Sequence, residues 1–523
     1  MSINCIRTLL ESAAQTHCEK AALVFNGKSL SYGELFTKVN QVAFYLNELE
    51  LPKDSRIGIY SNKGTEQVVA ILAILSTDYI LVPLTKLLKP EQVEYIIKDC
   101  DIKCIITDKL KLESIEEIDF DGHIVSYETT AKEIASFEEI YKYYNKRHAC
   151  DINGHDNAVI TYSFGVTGTP KGIVISHRNL IDSARVVSQY LKLEQEDVIS
   201  GLLIFNLDYG LNQIFCTLYK KATLALHRFI LPEEFFNHLI DDQITVLPLM
   251  PVNISQMFGD DVQRIPSAEL FDSVKTITSS GGNVTAKMIG DCKKTFQKAD
   301  FYSMHGLTEA FRSTYLDPSQ VNIRPDSIGK PIPDVELYVI NEEGKECAVR
   351  EVGELIHRGG YIYRGFWNAP EQNLQRFKSV EILKDVITLE GQLTEEVVVA
   401  TGDYVYKDEE GYFYFVSRQD DMIKTRGFRV SPYEIESVAK RNIPQIDQCA
   451  VFGIDNELIE EEIVMVYSAP SEITEKEILF ELKKHLASYM LPSRVVYRKS
   501  LPLVQSDKNQ VNKDELKRQL SES

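Results

Sequence analysis

The sequence predicts an α/β fold, in which a large N-terminal domain of several subdomains with parallel-rich sheets precedes a small mobile α+β domain. Strand-like and helix-like segments alternate through most of the chain, which is typical of sheets whose neighbouring strands run parallel. The 523 residues exceed what one hydrophobic core usually spans, so we expect at least two domains. A polar run at residues 417–421 follows a strand-like segment, and we expect domains at residues 1–419 and 420–523.

The first elements of the chain carry clear local signals. Ser31 and Glu34 form a capping box that opens a helix. The apolar residues spaced along one face of this helix are Leu35, Val39, Val42 and Leu46. Residues 56–60 then predict a buried strand, residues 68–72 lie in a predicted helix, and residues 79–82 predict another strand.

Later segments separate the two predicted domains. Residues 378–396 are charged and weakly patterned, and we expect a surface excursion there. Beyond the polar joint, residues 422–424 predict a strand, and Ser431 with Glu434 predicts a helix that has Pro432 at its first position. A flexible joint between a large and a small domain is compatible with closure over a substrate.

Composition excludes several classes of partner. The net charge is −20 and no Lys/Arg-rich run occurs, which argues against nucleic acid or an anionic membrane as partner. The nine cysteines include no C-x-x-C pair, so we expect reduced thiols rather than a disulfide or zinc framework. The N-terminus resembles no signal peptide, and the longest apolar run, residues 68–75, is too short to span a bilayer. We therefore expect a cytoplasmic protein.

The most informative segment is a loop rich in glycine and threonine at residues 162–172. It lies between two apolar runs, so we expect it to join two strands. Such a loop presents backbone N–H groups, hydroxyls and one ammonium to an anion such as a polyphosphate, although an ordinary surface turn has a similar composition. It is not a Walker loop, because Pro170 stands where a glycine precedes the lysine and Gly172 where Ser or Thr follows.

The loop resembles the phosphate-binding signature of adenylate-forming enzymes, which include acyl-CoA synthetases, luciferases and the adenylation domains of nonribosomal peptide synthesis. Phe164 and Val166 replace a Ser and a Thr of the family pattern, so we expect ATP to bind more weakly than is usual in the family. The residues that the resemblance assigns to the phosphates are Ser163, Gly165, Thr167, Gly168, Thr169 and Lys171.

A second signature covers residues 304–309 and is similar to the family's Tyr-Gly-x-Thr-Glu segment. The resemblance implies that Thr308 contacts phosphate and that Glu309 holds Mg²⁺, a hard cation that prefers oxygen ligands. His305 replaces the usual Tyr beside the adenine, and Gly306 follows it.

The remaining signatures of the family follow in the expected order, so the resemblance covers nearly the whole chain. It implies that Asp403 accepts the ribose hydroxyls, that Arg418 and Lys424 lie at the ribose, and that Asp420 is the hinge. It also implies that Lys508 bridges the substrate carboxylate and the α-phosphate, because a cation between two anions stabilises the crowded transition state. The residues with implied catalytic roles are Lys508, Lys171, Thr308 and Glu309.

The acid to be activated is predicted from residues 205–213, which align with the place where amino-acid adenylation domains keep an Asp for the substrate ammonium. Asp208 occupies this place, and a buried carboxylate left without a partner costs on the order of 3–5 kcal/mol. A surface Asp208, or an Asp208 paired to Arg312, stays open as the alternative. The other implied pocket residues are Tyr209, Asn212, Met250, Thr278, Ser280, Met304, Arg312 and Ser313.

Residues 208–213 and 309–314 resemble stand-alone proline-activating enzymes, which load L-proline onto the phosphopantetheine thiol of a separate carrier protein, and also a set of poorly characterised acyl ligases. The resemblance therefore implies that ATP and Mg²⁺ convert an amino acid, with L-proline favoured, to aminoacyl-AMP and pyrophosphate. Transfer to a carrier thiol follows, and we expect a separate carrier because the sequence stops soon after the last predicted helix.

Two alternatives stay open. An AMP-forming acyl-CoA ligase would use coenzyme A as the acceptor, and Asp208 would then have no ammonium to bind. A catalytically silent binding protein is the other alternative, suggested by Phe164, Val166 and Asp507, the last of which replaces a family Gly. The joint presence of the four residues Lys171, Glu309, Asp403 and Lys508 weighs against it.

Overall fold

The structure of the protein is a computed structural model. It describes residues 3–86, 88, 90–130, 134–144, 151–164, 170–259, 262, 265–282, 284–389, 395–418, 422–425, 428–456, 460–486, 490–504 and 507–521.

The helices are α1 (Ile6–Thr16), α2 (Tyr32–Glu48), α3 (Thr65–Ile74), α4 (Pro90–Cys100), α5 (Lys109–Glu116), α6 (Phe137–Tyr143), α7 (His177–Tyr190), α8 (Asp208–Lys220), α9 (Pro232–Asp241), α10 (Pro251–Met257), α11 (Ala286–Thr295), α12 (Pro370–Arg376), α13 (Pro432–Asn442), α14 (Glu475–Leu482) and α15 (Lys513–Ser521), with short 3-10 helices at Ala268–Phe271 and Val380–Leu383.

The strands are β1 (Ala21–Phe25), β2 (Lys28–Ser31), β3 (Arg56–Tyr60), β4 (Ile80–Leu84), β5 (Ile102–Thr107), β6 (His123–Ser126), β7 (Ala135–Ser136), β8 (Asn157–Phe164), β9 (Pro170–Ser176), β10 (Val198–Gly201), β11 (Thr223–Leu226), β12 (Val246–Leu249), β13 (Thr276–Ser279), β14 (Asp300–His305), β15 (Thr314–Leu316), β16 (Lys330–Pro331), β17 (Val335–Ile340), β18 (Gly353–Gly359), β19 (Phe377–Ser379), β20 (Val397–Lys407), β21 (Phe413–Arg418), β22 (Ile423–Thr425), β23 (Phe428–Val430), β24 (Gln448–Asn456), β25 (Glu460–Ser468), β26 (Arg494–Tyr497), β27 (Leu503–Val504) and β28 (Asp507–Val511).

The chain divides into two compact units of unequal size. The first contains residues 1–337, 357–381 and 392–399, and the second contains residues 338–356, 382–391 and 400–523. The predicted fold class is confirmed, because the large N-terminal part holds parallel-rich sheets and a smaller part follows at the C-terminus. The domain boundary at residue 420 stays a prediction.

Two large sheets form the first unit. One has nine strands in the order β16-β15-β14-β13-β12-β10-β11-β1-β2, and the other has seven in the order β7-β6-β5-β3-β4-β8-β9. The inner strands are parallel in both sheets, and antiparallel pairs occur only toward the edges, at β1–β2, β8–β9, β14–β15 and β15–β16. Parallel strands need helical crossovers that cover both faces, which accounts for the continuous apolar sequence of strands such as β4.

The local sequence signals of the first unit are confirmed. The Ser31 hydroxyl accepts a hydrogen bond from the N–H of Glu34, and the Glu34 carboxylate accepts one from the N–H of Ser31, so the capping box opens α2. The predicted apolar face of that helix is fully buried. The predicted strand at residues 56–60 is β3, and the predicted helix through residues 68–72 is α3.

The second unit packs helices on both faces of a sheet that is antiparallel except for its β25–β26 pair. Strands β23, β22, β25 and β24 form this sheet in that order, and β26 adds to β25. Alternate residues of β24 point to opposite faces, so that Val451 packs in a core with residues of α13 and α14, whereas Phe452 packs in a core with residues of α15. Helix α13 begins after Ser431, whose hydroxyl accepts from the N–H of Glu434, as the sequence predicts.

The expectation of a surface excursion at residues 378–396 is wrong for its first part. Residues 377–379 pair as β19 with the start of β20, and the side chains of Val380 and Leu383 are fully buried. Two apolar residues three positions apart bury one side of a short helix, a signal that the many charged neighbours concealed. Within the part of the chain that the structure describes, every helix is too short or too polar to cross a lipid bilayer.

Candidate active site

The carboxyl ends of four neighbouring strands gather the predicted pocket residues. Strands β14, β13, β12 and β10 are adjacent and parallel, so their carboxyl ends lie along one edge of the nine-stranded sheet. The pocket residues at or just beyond these ends are Asp208 after β10, Met250 after β12, Thr278 and Ser280 at β13, and Met304 at β14. Open α/β sheets bind their ligands at this edge, because the loops and helix N-termini there supply free polar groups.

A cavity lies among these residues. Five of the predicted substrate-binding residues line it: Tyr209, Asn212, Thr278, Met304 and Arg312. The remaining walls are mostly apolar and come from α7, the loop after it, β10 and β12. The Tyr209 hydroxyl lies 2.7 Å from the Thr278 hydroxyl oxygen, which holds the ring of Tyr209 against β13.

Asp208 is the first residue of α8 and stands at the side of this cavity. One carboxylate oxygen accepts a hydrogen bond of 2.6 Å from the N–H of Tyr209, and the other lies 3.8 Å from a guanidinium nitrogen of Arg312. Burial raises the pKa of Asp208, while the Arg312 charge and the Tyr209 N–H act in the opposite direction. The side chain is 26% exposed, so its burial is incomplete.

Arg312 is a buried cation that lines the cavity. Its side chain is 4% exposed, and its guanidinium lies over the rings of Tyr209 and Phe311, 4.7 and 4.6 Å from their centroids. One terminal nitrogen donates to the carbonyl of Phe311 at 2.9 Å, and the Nε–H has no acceptor among the residues that the structure describes. The sequence left open that Asp208 pairs with Arg312. In the structure the two side chains are in contact, at the long distance of 3.8 Å.

The other predicted pocket residues have defined partners. The Asn212 amide donates to the Ser183 hydroxyl at 3.1 Å, which ties α8 to α7. The Ser313 hydroxyl lies 3.0 Å from Nδ1 of His357 and is fully buried, so it is part of a polar core contact. Met250 precedes α10, and its backbone N–H donates to the side chain of Asn253.

Sequence reasoning missed several residues around the cavity. Tyr190 lines it and donates from its hydroxyl to the sulfur of Met304 at 3.0 Å, while its ring stacks on Tyr315 at 4.7 Å. Tyr363 is buried near both Asp208 and Arg312, and burial with the nearby Asp208 charge raises its pKa. These residues come from α7 and from the segment after β18, so only the folded chain brings them to the site.

The predicted phosphate loop joins two antiparallel strands, as the sequence predicts. Strands β8 and β9 pair from Asn157 opposite Ser176 to Phe164 opposite Pro170, and Lys171 stands opposite Ser163 at the loop end of the hairpin. Gly172 is pressed against Ile160, where a Cβ atom would be 2.9 Å from a side-chain carbon. Four predicted phosphate ligands, Gly165, Thr167, Gly168 and Thr169, lie outside the described residues, as does the side chain of Ser163.

A tight turn carries the second signature. His305 ends β14, and Leu307 donates to the carbonyl of Ala310 at 3.1 Å, which places Thr308 and Glu309 at the tip of the turn. Only glycine fits at position 306, because a Cβ atom there would lie 2.6 Å from the carbonyl oxygen of Phe311.

The carboxylate of Glu309 is nearly buried beside a cation. Its side chain is 11% exposed, and Nε of Arg376 lies 3.7 Å from one of its oxygens. Carboxylate oxygens are the ligands that a hard divalent cation prefers, and such a cation would compete with Arg376 for this carboxylate. Among the described residues, no group of three His, Cys, Asp or Glu side chains is arranged to hold a metal by itself. Glu309 therefore fits a metal that takes its other ligands from a bound molecule.

The second unit contains the predicted ribose residues. Asp403 on β20 stands opposite Arg418 on β21, and Nε of Arg418 lies 3.0 Å from a carboxylate oxygen of Asp403. Asp403 is fully buried, whereas the side chain of Arg418 is 56% exposed. Asp420 and the side chains of Lys424 and Lys508 lie outside the described residues.

Comparison with known families matches both parts of the chain. The profile of the family described as AMP-binding enzyme matches residues 10–367, and that of the AMP-binding enzyme C-terminal domain matches residues 434–508.

Similar curated proteins include two synthases from Brevibacillus. The chain is 25% identical over 515 residues to tyrocidine synthase 1 of Brevibacillus parabrevis, a match that covers 96% of this chain and 44% of that protein. It is 24% identical over 511 residues to gramicidin S synthase 1 of Brevibacillus brevis, covering 96% of this chain and 43% of that protein. The chain thus spans less than half the length of these curated relatives.

Similar solved structures share the fold. An o-succinylbenzoate CoA synthetase from Bacillus subtilis, in complex with its acyl-adenylate intermediate, superposes with a TM-score of 0.81 at 21% identity over 97% of both chains. ATP-bound MatB from Rhodopseudomonas palustris superposes with a TM-score of 0.83 at 23% identity over 99% of both chains.

Proposed function

The chain belongs to the family of AMP-binding enzymes, and on that premise we propose that it activates an amino acid, L-proline in the first place. In the proposed reaction a carboxylate oxygen of the amino acid attacks the α-phosphorus of ATP, and pyrophosphate leaves. The thiol of a carrier protein's phosphopantetheine then attacks the carbonyl carbon of the aminoacyl-AMP, and AMP leaves. The enzyme is on this proposal an AMP-forming acid–thiol ligase.

The proposed ligands of ATP are charged and hydroxyl side chains. Lys171 at the hairpin end and Thr308 at the turn bind phosphate oxygens, and Asp403 accepts the ribose hydroxyls. Glu309 holds Mg²⁺, which when bound neutralises charge on the phosphate oxygens. Lys508 supplies the cation between the attacking carboxylate and the α-phosphate. We also propose residues 420–523 as a mobile lid with Asp420 as its hinge.

The observation that carries the amino-acid assignment is the carboxylate of Asp208. It lies at the first turn of α8, next to the cavity-lining residues Tyr209 and Arg312. Its contacts among the described residues are the hydrogen bond from the N–H of Tyr209 and the 3.8 Å approach of Arg312. An ammonium group in the cavity would give this carboxylate a partner at hydrogen-bonding distance, and charge-assisted hydrogen bonds of this kind are about twice as strong as neutral ones. A cyclic secondary ammonium such as that of proline presents both the charge and an apolar ring.

A second function has support from Arg312. If Arg312 is the permanent partner of Asp208, the pocket has no unpaired charge for an ammonium, and a simple carboxylic acid fits it better. The protein would then be an AMP-forming acyl-CoA ligase, with coenzyme A as the acceptor.

The test is ATP–pyrophosphate exchange with L-proline and its matched analogue cyclopentanecarboxylate, which keeps the ring and removes the nitrogen. We expect exchange with proline and little with the analogue, because the analogue leaves Asp208 without a cation. Smaller-ring and open-chain amino acids should lose less exchange activity than the analogue without nitrogen. One methylene typically changes the free energy of substrate discrimination by about 1–3 kcal/mol. Equal exchange with both ring acids would favour the acyl-CoA ligase. A second assay then compares a phosphopantetheinylated carrier protein with free coenzyme A as acceptor.

A further inference from the structure

Three backbone carbonyls converge on one lysine at the start of the loop that leads to Asp208. Nζ of Lys63 donates to the carbonyl of Gly201 at 2.7 Å, to that of Leu203 at 2.6 Å, and also to that of Leu202. The same ammonium lies 4.7 Å from the centroid of the Phe205 ring. Three carbonyl oxygens and an aromatic face are groups that bind a monovalent cation.

The segment that carries Lys63 is held from two directions. Nε of Arg228, which follows β11, donates to the carbonyl of Lys63 at 3.0 Å. The amide side chain of the preceding residue, Asn62, donates to the carboxylate of Asp108 at 3.0 Å. Lys63 follows the carboxyl end of β3 in the seven-stranded sheet. Its side chain reaches the carboxyl end of β10 in the nine-stranded sheet.

The surroundings of this ammonium differ from those of a salt bridge. Within the described chain, no carboxylate lies within ion-pair distance of Lys63, and its two charged neighbours are the cations Lys86 and Arg228. Burial and this repulsion lower the pKa of Lys63 well below its usual value. Keeping a positive charge here is costly, so its carbonyl contacts must offset that cost.

The carbonyls that bind Lys63 belong to the loop that positions Asp208. Gly201 ends β10 and Asp208 begins α8, so residues 202–207 are the whole connection between them. This loop presses directly on α8, because a Cβ atom at Gly210 would lie 1.9 Å from the carbonyl oxygen of Ile204. A change in the path of residues 201–205 must therefore move the first turn of α8, where Asp208 and Tyr209 lie.

We propose that Lys63 is a positioning residue that acts as a built-in monovalent cation: its ammonium organises the carbonyls of residues 201–203 and so sets the place of the Asp208 carboxylate. The same shell, once the lysine side chain is removed, binds an ammonium or potassium ion. The consequence for the acid substrate rests on the proposed function, whereas the cation site does not.

The experiment removes the side chain and supplies the cation from solution. Lys63→Ala is compared with the wild type and with Lys103→Ala, which removes a partly exposed lysine that pairs with Asp101 instead of with these carbonyls. KM for the acid and for ATP is measured in chloride salts of ammonium, potassium and choline at constant ionic strength. Thermal unfolding is followed in the same salts without substrate.

We expect Lys63→Ala to raise KM for the acid about tenfold in choline and to leave KM for ATP within about twofold. Ammonium or potassium should restore most of the loss and raise the unfolding temperature of Lys63→Ala alone. An unchanged KM for the acid would overturn the proposal, and so would a loss shared equally by both substrates that no cation repairs. A cation response of the same size in the wild type would overturn it too.

Two further arms keep the test decisive. If Lys63→Ala does not fold, Lys63→Gln is used, whose neutral amide still donates to a carbonyl; wild-type behaviour of this variant in both assays would show that the charge is dispensable and overturn the proposal. If no amino acid supports exchange in the wild type, the proposed function fails. The effect of ammonium on thermal unfolding of the variant then still decides whether the cation site exists.

Discussion

The carboxylate of Asp208 and the guanidinium of Arg312 approach to 3.8 Å across the wall of the candidate acid pocket. Arg312 directs one of its nitrogens to the carbonyl of Phe311 instead, so the two charges are neighbours without the bidentate geometry that makes such pairs strong. A substrate ammonium has to compete only with this long contact.

Replacing Asp208 tests the proposed recognition of the ammonium directly. Asp208→Asn keeps the shape and removes the charge, so KM for L-proline should rise by roughly one to two orders of magnitude, with thermal stability unchanged or higher. Asp182→Asn, on the surface pair with Arg178, is the matched control and should leave KM unchanged. If ATP–pyrophosphate exchange with proline is unaffected by Asp208→Asn, the acyl-CoA ligase becomes the favoured function.

The pH dependence of stability follows from the direction of the Asp208 pKa. Burial raises that pKa, so the folded protein holds a proton that the unfolded chain has already lost. The free energy of unfolding should therefore fall as pH rises from the ordinary aspartate pKa through the raised one, and Asp208→Asn should remove this component. The measurement is urea unfolding of wild type and variant over an acidic pH series. A difference between them that does not vary with pH would contradict the assignment.

A double-mutant cycle separates the two interpretations of Arg312. Asp208→Asn, Arg312→Gln and the double variant are compared for the free energy of unfolding. Because the contact is long and partly exposed, we expect a coupling energy below about 1 kcal/mol. A coupling of about 2–3 kcal/mol would identify a structural ion pair and weaken the amino-acid proposal.

Lys508 should serve one half-reaction only. Lys508→Ala is expected to reduce adenylate formation by orders of magnitude, because the cation between the two reacting anions is lost. Thioester formation from preformed aminoacyl-AMP should survive, because the proposed lid would bring Lys508 to the reacting groups in one half-reaction and not in the other. The measurements are pyrophosphate exchange and carrier loading from synthetic adenylate. Equal loss in both assays would contradict the role of Lys508.

The hinge is tested at Asp420. If the backbone there rotates between half-reactions, Asp420→Pro restricts φ to one value and should trap one orientation of the small domain. Exchange and carrier loading should then separate, with one retained and the other lost. Normal rates in both assays would show that the pivot lies elsewhere.

Local sequence chemistry determined much of what the structure contains. The capping box at Ser31 and the run of apolar residues in β3 depend on neighbours a few positions away. Both could therefore be predicted from the sequence. The hairpin around the loop at residues 165–169 was predictable because apolar runs flank it on both sides. The order of the short motifs indicated the family, which the comparison confirmed.

Only the tertiary structure decided which charges meet. Asp208 and Arg312 lie about a hundred positions apart, and the parallel order of β10, β12, β13 and β14 brings their strand ends to one edge. The same is true of Lys63 and the carbonyls of residues 201–203, a contact between two sheets that no sequence spacing encodes. The periodicity of apolar residues shows which face of a segment is buried, but not which distant segment covers that face. The partners of a buried charge are therefore defined only when the sheets are assembled.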